Sequence, residues 1–210
     1  MALTALVLYV VWFAFAFGIR AVIHRRRTGD AGFRGLSGTP GSAPWWAGVL
    51  FALAVLMGLF APIAALLGLS PLEFLTARWI QVAGLVIALA GMAATTVSQV
   101  SMGTSWRVGV DATERTELRT TGVFAWVRNP VFTAMLLTAA GLTLMAPNLL
   151  GVAGWVALFV AIQLQVRVVE EPYLRSTHAE SYTTYTAQTG RFLPGLGRSL
   201  TAARGAVRRR

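Results

Sequence analysis

The sequence predicts an all-α polytopic membrane protein with about five transmembrane helices and a cytoplasmic, helical C-terminal cap. Three observations predict this. Of 210 residues, 56% are hydrophobic and only 12% charged, against about 25% charged in ordinary soluble domains. The apolar residues gather into runs long enough to cross a bilayer of about 30 Å. The charged residues fall between those runs, and their sign is lopsided, with a formal net charge of +10.

The first span runs from about Leu3 to Ile23. No basic residue precedes it, whereas Arg20, Arg25, Arg26 and Arg27 lie at its end. That polarity is the reverse of a signal peptide and places the N-terminus outside. The stretch from His24 to Pro44 is rich in Gly, Ser and Arg and reads as a cytoplasmic loop. The second span starts at the interfacial pair Trp45 and Trp46, contains a kinking Pro62 and ends near Leu69. Ser70 to Arg78 is a short external loop, and the third span covers about Trp79 to Val100.

A polar segment, Ser101 to Asn129, follows. The fourth span opens at Pro130, a residue favoured in the first helical turn. It ends near Ala146, and Pro147 and Asn148 make the turn into a fifth span that reaches about Val169. Two parts result: residues 1–100 hold spans one to three, and residues 101–210 hold a cytoplasmic loop, a helical hairpin and the cap. Of 18 arginines, Arg78 alone falls outside in this topology. The positive-inside rule therefore selects a multi-pass protein of the inner (plasma) membrane with its C-terminus in the cytoplasm.

Composition also excludes chemistry. There is no cysteine, so disulfides, thiolate metal sites and a cysteine nucleophile are absent. Two histidines, His24 and His178, rule out a multi-histidine metal centre in one chain. The arginines flank apolar runs, which points to membrane lipid headgroups rather than nucleic acid as their partner.

Residues capable of chemistry gather in two cytoplasmic stretches, Ser105 to Pro130 and Arg167 to Pro194. In the first, Arg128, Asn129 and Pro130 meet where a helix enters the membrane, and Arg128 can grip a carboxylate or phosphate bidentately. Read locally, the same run is a helix start with an interfacial anchor. Trp106 and Arg107 are either interface anchors or part of a cofactor wall. In the second stretch, Arg167 and Glu171 are four residues apart and share a helix face, with Glu170 alongside. This is an interfacial ion pair or a site. Tyr182 and Tyr185, three apart, form the aromatic face of a surface helix or a lid that meets a cofactor. His178 reads as a solvated helix residue or as a base.

In order along the chain stand Gly122, Arg128, Pro130, Arg167, Glu170, Glu171, Tyr182, Tyr185, Arg191, Phe192, Pro194 and Gly195. This ordered set, with a hairpin between its halves, resembles the isoprenylcysteine carboxyl methyltransferase family of integral-membrane enzymes. The resemblance covers about the C-terminal half. It departs from the family pattern at Phe124 and Phe132, where the family has tyrosines, and at Asn129, where it has histidine. Asparagine keeps hydrogen bonding but cannot titrate near neutrality.

The resemblance implies S-adenosylmethionine as cofactor, held beneath the cap by Trp106, Arg107, Arg128, Asn129, Pro130, Glu171, Tyr182, Tyr185 and Arg191. Arg128, Arg167, Glu170 and Glu171 are the candidate catalytic groups. It implies methyl transfer to a small apolar acceptor from the bilayer. A rival on the same architecture is an NADPH-dependent membrane reductase of a sterol-like or isoprenoid double bond. A non-catalytic scaffold is a third reading. Neither the acceptor nor the oligomeric state is legible.

Overall fold

The computed structural model describes residues 1–32, 35–103 and 117–199. Five helical rods account for most of them: α1 (Ala2–Thr28), α2 (Ala43–Leu66), α3 (Arg78–Met102), α4 (Pro130–Met145) and α5 (Leu149–Gln188). Four are long and apolar enough to cross a membrane, and α4, with 16 residues, is a shorter apolar helix. The all-helical membrane architecture agrees with the sequence, with three differences.

First, α1 does not end near Ile23 but runs to Thr28, where Gly29 at φ 80° closes it with a left-handed cap. Arg25, Arg26 and Arg27 in its last turn complement the negative end of the helix dipole. Second, α2 starts at Ala43, capped by the Ser42 hydroxyl accepting from the Trp45 amide, and keeps Pro62 inside its length. Third, α5 does not stop near Val169. The helical stretch continues to Gln188, 40 residues in all, but it is kinked at Ala179, whose φ 40° and ψ −108° are not helical, so the residues after the kink do not continue the axis of the span. A π-helical segment, Gln165–Glu170, marks the point of emergence, and Pro172 falls in the first turn after it.

Small residues let α3 and α4 touch backbone to backbone, as membrane helices do when lipid is the competing solvent. A Cβ placed on Gly84 would fall 2.8 Å from the Gly141 carbonyl oxygen, and one on Gly91 would fall 3.0 Å from that of Ala134. The hydroxyls of Thr95 and Thr138, both buried, donate back to the carbonyls of Gly91 and Ala134. Such side chains carry their own acceptor into the apolar interior.

At the face opposite the cap, Asn148 is fully buried. Its amide donates to the Ala61 carbonyl at 2.9 Å and its oxygen accepts from the Gly151 amide at 2.9 Å. One side chain thus caps α5 and ties it to α2. The loop after α2 is held to the same turn by the Leu72 amide donating to the Pro147 carbonyl.

At the cap face, α1 contains its own π-helical segment, Ala14–Ile19. Gln99 of α3 donates to the Ala16 carbonyl within it at 2.9 Å. Arg20 donates to the Gln99 and Gly103 carbonyls at 2.9 and 2.7 Å, which are among the acceptors a helix end leaves without partners. A buried cluster then joins Trp12, Ala16 and Phe17 of α1 to Met135 of α4 and Leu158, Ile162 and Val166 of α5, with Phe192 of the cap against it. The two π-helical segments therefore meet in one core at the depth where α5 leaves the membrane.

Candidate active site

The site is built where the approach to α4 meets the end of α5. Gly122, at φ 62°, opens a short 3-10 turn, Gly122–Ala125, that buries Phe124. The chain then extends through Val127, Arg128 and Asn129 before Pro130 begins α4, where its missing N–H costs nothing.

After α5, the strand-like residues 189–191 lie beside 127–129. Val127 and Gly190 form a parallel bridge. The Arg128 amide donates to the Gly190 carbonyl at 2.9 Å, and the Asn129 amide to that of Arg191 at 3.1 Å. Side chains complete the seam. The Asn129 amide group donates to the Arg191 carbonyl at 3.0 Å, Thr133 to that of Phe192 at 2.8 Å, and the Tyr185 phenol to that of Phe124 at 2.6 Å. The two polar stretches that are distant in sequence are stitched into one unit.

Glu171 sits at the centre of this unit, 5% exposed. Arg191 grips it bidentately, Nε to Oε1 at 2.6 Å and Nη2 to Oε2 at 2.9 Å. Arg128 donates Nη2 to Oε1 at 3.2 Å, and the exposed Arg175, one turn on, reaches Oε2 at 3.7 Å. Arg128 also donates to the Thr186 carbonyl at 3.3 Å and the Gly197 carbonyl at 3.0 Å. Its Nε is shielded from solvent and has no hydrogen-bond partner.

Charge follows geometry. Burial pulls the Arg128 guanidinium below its ordinary value, with the Glu171 carboxylate opposing that shift. The hydrogen bond that Arg191 donates to the Glu171 carboxylate pushes Arg191 up. Burial, seconded by Glu171, pushes the Tyr182 phenol up to about 12, and burial raises Tyr185 as well. Both phenols are neutral across the physiological range.

The structure thus brings together Arg128, Asn129, Pro130, Glu171, Tyr182, Tyr185 and Arg191. The two tyrosine rings lie 6.4 Å apart, inclined at 60°, and both are buried in the protein. Glu170 stands beside the cluster and accepts from the Gln165 side chain at 3.3 Å. Arg167 does not pair with Glu171, contrary to the shared-face expectation. Its Nε donates back to Gln163 at 2.8 Å, because Glu171 is already taken by Arg128 and Arg191. Trp106 and Arg107 lie outside the described residues.

Three participants escaped the sequence reading: Arg175, and the carbonyls of Thr186 and Gly197 that orient Arg128. Arg175 had a readable signal, four residues after Glu171. Carbonyl acceptors have none, since every residue carries one.

Residues 79–181 match the phospholipid methyltransferase family. Among curated proteins no sequence matches the chain. Among solved structures, the eukaryotic intramembrane Ras methyltransferase ICMT (isoprenylcysteine carboxyl methyltransferase) aligns with a TM-score of 0.60 at 18% identity. The alignment covers 90% of this chain but 64% of that one, so this chain spans under two thirds of its structural neighbour. The segment 79–181, which carries nearly all of α3, all of α4, most of α5, the Arg128 stretch and Glu171, matches the phospholipid methyltransferase family, in a chain with the membrane fold of isoprenylcysteine carboxyl methyltransferase.

Proposed function

We propose that the protein is an integral-membrane methyltransferase that uses S-adenosylmethionine and acts on an apolar acceptor lodged in the bilayer. The observation that carries this reading is the convergence of Arg128, Arg191 and Arg175 on the single carboxylate of Glu171, at the end of the matched segment. One carboxylate facing three guanidiniums leaves a positive surplus, and Arg128 retains a shielded N–H without a partner. Both features fit the carboxylate of an amino-acid cofactor.

Bound there, S-adenosylmethionine would supply an already activated methyl group. The protein's part is mainly alignment and exclusion of water. Arg128 would hold the cofactor carboxylate, Glu171 would fix the directions of Arg128 and Arg191, and the cap would close over the cofactor. The catalytic half is then residues 101–210. The arginine-rich face is the cytoplasmic one by the positive-inside rule, so the N-terminus lies outside. The apolar body of the acceptor has a matching environment in an apolar cavity of about 50 Å³ between α1, α2, α4 and α5, lined by Tyr9, Trp12, Leu142, Trp155 and Leu158.

The test is ligand-induced stabilisation of the purified protein. Saturating S-adenosylhomocysteine is expected to raise the melting temperature by mass action on the folded state. An unchanged midpoint with S-adenosylhomocysteine, together with a rise on NADPH, would replace this reading by a reductase.

A further inference from the structure

We infer that the turn Leu193–Leu196 is a membrane hook, which places apolar side chains at the headgroup boundary of the bilayer and so seats the cap on the lipid surface. The inference does not depend on the identity of the cofactor. It rests on the depth at which the fold holds this turn and on what the turn exposes there.

One contact gives the depth. Asn148 donates to the Ala61 carbonyl at 2.9 Å, so these residues share a level. Counting 18 residues from each toward the cap reaches Ala43, the first residue of α2, Pro130, the first of α4, and Val166 of α5. That distance is about 27 Å at 1.5 Å per residue, close to the thickness of the hydrocarbon layer. Trp45 and Trp46, in the first turn of α2, mark the same level as the headgroup boundary, where tryptophan concentrates.

The cap comes down to this level. Thr133, in the first turn of α4, donates to the Phe192 carbonyl at 2.8 Å, and Phe192 packs against the buried cluster that includes Met135, Ile162 and Val166. Leu193 follows directly, and the Leu196 amide closes the turn on the Leu193 carbonyl at 3.1 Å. Leu193 is 52% and Leu196 62% exposed, and Trp126, beside the parallel bridge of the seam, is 71% exposed. The guanidinium of the exposed Arg198 folds back over the turn, 3.7 Å from where a Cβ on Gly195 would stand. Apolar side chains for the acyl boundary with a cation for headgroup phosphates are the composition of an interfacial anchor, so lipid is the occupant. The hook lies between the two points of this loop that reach the cluster: Arg191 grips Glu171, and the Gly197 carbonyl accepts from Arg128. Lipid that holds the turn holds both.

The chain has no cysteine, so single cysteines can carry a bimane label. Leu193→Cys and Leu196→Cys probe the turn. Ser176→Cys is the reference, exposed, ten residues beyond Val166 and ahead of the kink at Ala179. The full chain is reconstituted in nanodiscs of phosphatidylcholine and phosphatidylglycerol. Nitroxide-bearing lipids should quench the two turn positions several-fold more than position 176, and aqueous acrylamide several-fold less. Acrylamide quenching equal to the reference overturns the proposal. So does shielding from both quenchers, which would put a protein surface over the turn. A second measurement tests the seating of the cap. Leu193→Ser combined with Leu196→Ser alters side chains that are exposed in the protein, so it removes lipid contact more than internal packing. Amide exchange of residues 189–197 in the nanodiscs should accelerate about tenfold with α3 unchanged. An unchanged rate overturns the claim that lipid holds the cap.

Discussion

Replacing Glu171 with glutamine removes one charge and preserves shape. In the native protein the carboxylate takes two bonds from Arg191, at 2.6 and 2.9 Å, and one from Arg128 at 3.2 Å. Charge-assisted bonds of this kind contribute about 1.5–3 kcal/mol each. The exposed Arg175 contact at 3.7 Å adds next to nothing. Glutamine keeps one acceptor oxygen but turns an NH2 group toward a guanidinium, and Arg128 is left buried without its counter-charge. The expected cost is about 3–5 kcal/mol, the range for breaking a buried pair from one side. It falls on the cap, because the helices below are joined by apolar and backbone contacts that do not involve Glu171. At about 1.4 kcal/mol per factor of ten, amide exchange across residues 122–129 and 186–197 should accelerate by roughly a hundred- to a few thousand-fold, with α3 and α4 still protected. Hydrogen exchange of the protein in lipid nanodiscs measures this. Acceleration of less than tenfold in the seam would refute the idea that Glu171 holds the cap.

Arg128→Lys keeps the charge but cannot span Glu171 and the carbonyls of Thr186 and Gly197 at once. Affinity for S-adenosylhomocysteine should fall at least tenfold by calorimetry, and equal affinity would reduce Arg128 to an interfacial anchor. Truncation after Arg198 retains the Gly197 carbonyl and should preserve ligand binding, whereas truncation after Arg175 removes the seam and should abolish it with the five helices still inserted. Raised phenol pKa values mean that Tyr182 and Tyr185 stabilise the cap fully below about pH 10, the unfolded value. That contribution is lost as pH climbs through about 12 for Tyr182. A late phenolate absorbance step should appear in that alkaline window, and Tyr182→Phe should reduce its amplitude, Tyr185 supplying the remainder.

The spans were legible because lipid imposes a coarse rule: long apolar runs, charges at their ends, and proline or serine at their starts. Arg128, Glu171 and Arg191 stood out because they fall in the ordered set of motif residues on either side of the hairpin, and Glu171 is one of only eight acidic residues in the chain. What stayed hidden depends on contacts that composition does not encode. The reach of α5 to Gln188 was masked by Glu170, Glu171 and Pro172, which read as the end of a span. The π-helical segment before them carries the helix onward. The failure of Arg167 to pair with Glu171 follows from competition by Arg128 and Arg191, residues 39 and 24 positions away from it. The burial of Asn148 looked like a turn signal and proved to be a bridge between helices.

The clasp made by Arg20, Gln99 and Ala16 bears on modularity. The family segment begins at residue 79, yet Gln99 inside it donates to a carbonyl of α1, and its own carbonyl, with that of Gly103, is satisfied by an arginine of α1. Cut away from the first helix, the segment would keep its residues and lose the partners of its polar groups at the membrane boundary. Sequence recognisability and physical autonomy therefore have different borders here. A chimera that grafts only residues 79–181 onto foreign helices would inherit a recognition signature without a closed hydrogen-bond inventory. The smallest transplantable unit includes α1.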